Sequence, residues 1–213
     1  VSSLVQANEV VDKILGYDAL KMLTLNGSSC AENGDGGLVD WRSHVLFASD
    51  DQEGDGYEGI IHMSQSDQMA TRVETEHPKF NVHKIFLDAY QQVSTPGGER
   101  YPQASADLRE MVQKGALVVN YVGHGGEVGW AHERFLDNGT ILGWTNSDRL
   151  PLFMTATCEF SRWDDPGRTS AGEFVLLNAN GGGVALMSTT RLAFSNQNEN
   201  LANKFYDHVF DET

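Results

Sequence analysis

Apolar residues along this chain follow two alternating rhythms, one of helical period and one of short continuous runs. Leu4, Ala7, Val10, Val11, Ile14 and Leu15 recur at helical spacing and predict an amphipathic helix over Leu4 to Leu15. Val45 to Ala48 is a short apolar run of the kind a buried strand presents, and it leads into an acidic, glycine-containing segment from Ser49 to Gly59. Met63 to Glu76 predicts a helix closed by Pro78, Val82 to Leu87 a strand, and Ser94 to Pro102, with Pro96, Gly97 and Gly98, a loop. A helix follows over Ala104 to Lys114, stopped by Gly115. Ala116 to Val122 and Leu152 to Thr157 are the clearest strands, because their apolar runs are nearly unbroken. Glu173 to Ala179 predicts a helix ending at Gly181, Gly182 and Gly183, then come a strand over Val184 to Met187 and a closing helix over Asn198 to Phe210. Continuous apolar strands that alternate with helices imply an α/β fold, a mainly parallel sheet with helices on both faces.

The 213 residues suit one large α/β unit, and 40% hydrophobic against 21% charged residues is enough to bury a proper core. Thirty acidic against 15 basic residues give a formal net charge of -15, which repels phosphate backbones; no basic patch offsets it, so no nucleic-acid partner is expected. No apolar run approaches the roughly 20 residues that cross a bilayer. Neither a basic n-region nor an apolar h-region follows Val1, so a fragment of a longer chain is expected. The two cysteines are too few for a disulfide scaffold. Cys30 lies in a Gly/Asn/Ser-rich stretch from Leu25 to Gly37, and Cys158 follows an apolar run, so two independent thiols are expected.

In open parallel sheets functional groups gather beyond the carboxyl ends of the strands. The strand ending at Val122 runs into Gly123-His124-Gly125-Gly126, and the strand ending at Thr157 runs into Cys158. A thiol needs an imidazole nearby to become a thiolate or to protonate a leaving group, and neighbouring strands would supply one. Gly125 and Gly126 allow a sharp turn. The Gly125 amide together with that of Cys158 would form an oxyanion hole, whose donors are each worth roughly 10²–10³ in rate. The alternative is structural: a cysteine after a strand can be a small buried hydrophobe, and a histidine between glycines a turn residue.

The run Val119-Asn120-Tyr121-Val122-Gly123-His124-Gly125-Gly126-Glu127-Val128-Gly129-Trp130 resembles the histidine motif of the gingipain-type cysteine peptidases, and Pro151 to Phe160 is similar to the strand that ends in their cysteine. Ser170 to Glu173 and Gly181 to Arg191 fit as well. The likeness is greatest to the branch that serves as sortase (PorU-type) of the bacterial type IX secretion system, where Val10 to Leu15 and the His62-Met63 pair are also familiar. The resemblance covers most of the chain, Leu25 to Gly37 least, and implies one peptidase catalytic domain over 1–213, a caspase-like three-layer sandwich. It implies Cys158 as nucleophile, His124 as its proton donor, and an acidic group after the first strand that orients the histidine: Asp50, or alternatively Asp51. A solvated turn or a cation site is the competing role for these aspartates. Thr189, Arg191 and Phe194, after the last strand, are candidates for substrate contact. Arginine-specific relatives carry an acidic residue shortly before a histidine like His62; this chain has Gly59, Ile60 and Ile61 there, with Glu58 nearby, so arginine specificity does not carry over. The resemblance further implies a protein or peptide substrate, secretion-system components as partners, and a secreted or bacterial outer-membrane surface location as part of a larger exported protein. A general extracellular protease, or a catalytically silent binding module of an export machine, are the alternatives.

Asp51-Gln52-Glu53-Gly54-Asp55-Gly56 begins like a calcium loop, but position twelve, where a bidentate glutamate belongs, is His62. An irregular Ca²⁺ site stays open, related peptidases bind calcium, and no cofactor is required. The dinucleotide fingerprint fails because Val128 stands where its third glycine belongs. Zinc on His124, His132 and Cys158 fits no spacing rule, so no metal is assigned to the site. His44, His77, His83 and His208 have no evident partner. Trp130, Trp144 and Trp163 flank the site as cleft or core residues, and Trp41 stands apart.

Overall fold

A computed structural model describes residues 1–25, 40–51 and 60–210. In chain order the elements are α1 (Leu4–Leu25), β1 (His44–Ser49), α2 (Ile61–Glu76), β2 (Asn81–Phe86), β3 (Val93–Thr95), β4 (Gly98–Arg100), α3 (Pro102–Lys114), β5 (Val118–Val122), β6 (Gly125–Gly126), β7 (Gly129–Trp130), β8 (Leu136–Asp137), α4 (Asn138–Leu142), β9 (Leu152–Ala156), α5 (Ala171–Leu177), β10 (Ala185–Met187) and α6 (Ser195–Val209). Five strands form one sheet in the order β10-β9-β5-β1-β2, with every neighbouring pair parallel. The strands end on a common rim, as parallel pairing requires.

Residues of the central strands alternate between two cores. Leu46, Ala48, Val119, Tyr121 and Phe153 face α3 and α5, where they meet Leu108, Val112, Ala171 and Val175. Val45, Phe47, Val118, Val122 and Met154 face α2 and α6, against Met69, Val73, Ala202 and Phe205. Burial on both faces is why these strands read as continuous apolar runs rather than as alternating ones. Each of the valine, leucine, phenylalanine and methionine side chains among them contributes about 1.5–3 kcal/mol by leaving water, and the three layers follow from having two faces to cover.

Local chemistry sets the helix ends. Pro102 opens α3, and Gly115 closes it at φ +99°, where an added Cβ would sit 2.8 Å from Cβ of Trp41. Ser170 and Glu173 form a capping box at the start of α5, with the Ser170 amide donating to the glutamate at 2.7 Å. Helix α1 runs ten residues past the expected Leu15, because a single glycine, Gly16, costs only about 1 kcal/mol in a helix interior and does not break it. Lys13 pins α1 to the end of α5: its ammonium donates to the carbonyls of Leu176 (3.0 Å), Asn178 (3.0 Å) and Gly181 (2.7 Å). Burial presses its pKa down to about 8.

Ser94 to Pro102, expected to be a loop, contains the antiparallel hairpin of β3 and β4; strands of three residues are too short for a period to show. His44 and His83 do have a partner, each other, with ring nitrogens 2.7 Å apart across β1 and β2, and His77 lies against the ring of Phe210. Cys30 and the segment from Leu25 to Gly37, apart from Leu25 itself, fall outside the described residues, and Cys158 carries a free thiol.

Candidate active site

Three consecutive strands of the sheet deliver three functional groups to one rim. Ser49 of β1 pairs with Val122 of β5, and Val122 pairs with Ala156 of β9. Asp50 stands one residue beyond its paired position, and His124 and Cys158 each stand two residues beyond theirs. Because the pairing is parallel, the three lie at the same end of adjacent strands, where open α/β sheets carry their chemistry.

Asp50 is fully buried. Its amide extends the ladder by donating to the Val122 carbonyl at 3.1 Å, and its carboxylate accepts the His124 amide at 2.8 Å and the Asp51 amide at 3.2 Å. Hydrogen bonds of this kind fix the loop that the carboxylate reaches. The His124 carbonyl accepts from the Tyr121 hydroxyl at 2.7 Å and from the Ala131 amide at 2.9 Å. Tyr121 stacks on Trp130 at 4.3 Å, and its buried hydroxyl is held protonated, foremost by desolvation and then by the Asp50 charge. The backbone of His124 is therefore fastened from both sides, while its ring stays half-buried between His62, edge-on at 4.9 Å, and His132, stacked at 5.4 Å.

The glycines beside His124 are required by packing. A Cβ at Gly123 would lie 2.4 Å from the Tyr121 hydroxyl and 2.6 Å from the Asp50 Cβ, and one at Gly125 would lie 2.4 Å from the Thr157 hydroxyl. The loop thus passes directly over the end of β9. Since Ala131 donates to the His124 carbonyl, 124–131 is a hydrogen-bonded pair, and the alternation of an antiparallel ladder turns the Gly125 N–H away from β7. Glu127 ties this hairpin to the neighbouring segment, accepting from Arg162 and, at 2.5 Å, from Arg168, while its carbonyl accepts the Ala171 amide at 2.7 Å.

Cys158 is half-buried. Its sulfur rests against the backbone of Ala193, 3.4 Å from the nitrogen and 3.5 Å from the oxygen. Glu159, next in the chain, has φ +51°, a left-handed conformation that costs a non-glycine residue about 1–2 kcal/mol and clusters at functional sites. Residues 189–191 run beside 159–161, through the Glu159 amide to the Arg191 carbonyl and the Ser161 amide to the Thr189 carbonyl. The Thr189 hydroxyl donates to the Thr157 carbonyl, and Arg191 is paired with Asp164 on the surface. Phe194 is 75% exposed beside this segment.

Spacing gave no sign of His62 or His132 beside His124, because α2 brings the first and a turn after β7 the second. Trp130 and Trp144, read as cleft or core, are core, and Trp163 is half exposed. A cavity of about 520 Å³ opens beside the histidine loop, lined by Gly125, Val128, Trp130, His132 and Arg134 among others. Among the described residues, two groups have donor atoms close enough to hold a cation: Asp50, His62 and His124, and Asp50, Asp51 and Glu133, each within 4.8 Å. Asp51 is buried; one of its oxygens accepts from Tyr101 at 2.7 Å and the other has no hydrogen-bond partner among the described residues. Of the acidic segment from Asp51 to Gly56, weighed above as an irregular Ca²⁺ site, only Asp51 lies within the described residues.

A parallel sheet covered on both faces, with a thiol, an imidazole and a buried carboxylate on one rim, defines a caspase-like α/β domain. The chain belongs to Peptidase family C25, whose family model matches residues 1–213. It is similar in fold to the complex of Porphyromonas gingivalis RgpB pro- and mature domains, at TM-score 0.63 and 16% identity over 82% of this chain and 38% of that one. It is also similar to the Arg-specific cysteine proteinase gingipain R (RgpB), at TM-score 0.56 and 18% identity over 80% of this chain and 39% of that one. A further solved protease matches at TM-score 0.63 and 17% identity, over 93% of this chain and 37% of its own. The chain thus spans a little over a third of the length of these relatives. No curated protein matches it.

Proposed function

We propose that this domain cleaves peptide bonds of exported proteins through a thioester on Cys158, with His124 as its proton donor and Asp50 as the group that orients the histidine. The observation that carries the reading is the register of β1, β5 and β9, which brings these three side chains beyond one rim of the sheet. The Cys158 thiol gives its proton to His124 as the sulfur attacks the scissile carbonyl, and the carbonyl oxygen draws on the amides of Gly125 and Cys158. The C–N bond breaks as His124 gives its proton to the departing amine, leaving the acyl group on sulfur. Water then releases the acid, or an amine acceptor takes the acyl group and forms a new amide.

Asp50 fits the orienting role better than Asp51, because it bonds to the His124 backbone whereas Asp51 bonds to Tyr101. Thr189, Arg191 and Phe194 belong to the segment that runs beside the cysteine loop and would contact the acyl side of the substrate. The cavity beside Gly125 would take the departing side. The finer role, a sortase-like step in type IX secretion within a larger protein at the bacterial surface, rests on the resemblance around His124 and Cys158. Calcium on Asp50, Asp51 and Glu133 belongs to the proposal too, since an all-oxygen group suits that hard ion.

The test is covalent labelling of Cys158 by a peptide carrying an electrophilic carbonyl. Selective labelling that His124→Ala abolishes supports the peptidase reading; equal labelling in both proteins refutes it. A new amide formed with an added amine would identify the transpeptidase branch, and release of the free acid alone the hydrolase.

A further inference from the structure

We infer that Asp50, His62 and His124 form a binding site for Zn²⁺, and that occupation of this site switches off the histidine. Their candidate ligand atoms, one carboxylate oxygen and two imidazole nitrogens, all lie within 4.8 Å of one another. The three reach that spot from separate elements: Asp50 from the end of β1, His124 from the loop after β5, and His62 from the first turn of α2. His62 stands edge-on to the His124 ring, with centroids 4.9 Å apart, so the two rings sit side by side at this spot. Asp50 is fully buried and its place is fixed by two backbone amides, so one of the three ligands is already set in position.

Ligand type selects the ion. Two nitrogens and one carboxylate make a set that zinc takes with water in the fourth position, whereas calcium requires six to eight oxygens. The second group, Asp50 with Asp51 and Glu133, contains no nitrogen and does not compete for zinc on these terms. Zinc binds neutral imidazole through the lone pair that would otherwise carry a proton. A zinc-loaded His124 therefore neither takes a proton from a thiol nor gives one to an amine.

The consequence for labelling rests on the peptidase reading above, but binding itself does not. Calorimetric titration of the whole protein with zinc chloride, in the Cys158→Ser variant, should give one site per chain. His62→Ala in that background should weaken binding by on the order of 10- to 100-fold, and His62→Gln, which keeps the side-chain bulk, should do the same. In the protein with its cysteine intact, zinc should slow labelling of Cys158 by the electrophilic peptide, and the same zinc concentration should slow His62→Ala much less relative to that variant's own zinc-free rate. Undiminished zinc affinity in both His62 variants would overturn the site, as would loss of binding on Cys158→Ser, which would assign the ion to the sulfur. If no variant is ever labelled, the peptidase reading falls while the calorimetry still decides the zinc site.

Discussion

Replacing Asp50 by asparagine separates the orienting role of its charge from its shape. Asparagine keeps one carbonyl oxygen for a backbone amide but turns an NH₂ group toward the other, so one bond is lost where the carboxylate accepted two, at 2.8 and 3.2 Å. The stability cost is about 1–2 kcal/mol, since a hydrogen bond to a charged group is worth about 1.5–3 and asparagine is cheaper to bury. The catalytic cost is larger. A donor nitrogen of His124 lies within 4.8 Å of the carboxylate, and at an effective dielectric near 20 a full charge pair at that distance is worth about 3.5 kcal/mol. Solvent on the half-exposed ring reduces this to about 2–3 kcal/mol, or roughly 30- to 150-fold in the rate of any step that places a proton on the imidazole. The assay is the rate of Cys158 labelling by an electrophilic peptide, with urea unfolding beside it to show that the fold persists. Asp51→Asn, whose carboxylate serves Tyr101 and not the His124 backbone, should slow labelling by less than about threefold, since Coulomb attraction to the ring falls with distance. Wild-type rates in folded Asp50→Asn, or equal loss in both variants, would refute the assignment.

Gly125→Ala should cost about 1–3 kcal/mol because its Cβ would lie 2.4 Å from the Thr157 hydroxyl, and adding Thr157→Ala should recover part of that loss in urea midpoint measurements. Lys13 gives a pH signature. Its folded pKa of about 8 lies below the ordinary 10.5, so unfolding takes up a proton between these values and stability climbs as pH rises. From pH 7.5 to 9.5 the gain should be about 2 kcal/mol, and Lys13→Met should flatten it in urea titrations. Calcium at a hundredfold excess over its dissociation constant should stabilise the protein by about 2.7 kcal/mol, a melting shift of about 5–10 °C, and Glu133→Gln should remove most of it. Gly182→Ala, far from the site, should lower stability by at least about 2 kcal/mol, because φ is +89° and a Cβ would lie 2.1 Å from the Val175 carbonyl, yet leave labelling of the folded fraction unchanged.

The parallel α/β architecture and the rim of the site were legible in the sequence because burial on two faces leaves a continuous apolar run, and a run that ends at His124 or Cys158 says where each side chain emerges. The hairpin of β3 and β4 and the small ladder of β6, β7 and β8 were not legible, since strands of two or three residues carry no period. Nor was the length of α1, which continues past the last apolar position of the periodic run, Leu15, through Gly16. The surroundings of the imidazole depended on contacts between residues distant in the chain. His62 reaches His124 from helix α2, Asp50 holds a backbone amide 74 positions away, and Ala193 presses on a sulfur 35 positions earlier. Local pattern decides which residues lie inside and where strands end. Only the packing of the sheet and its helices decides which of those ends meet.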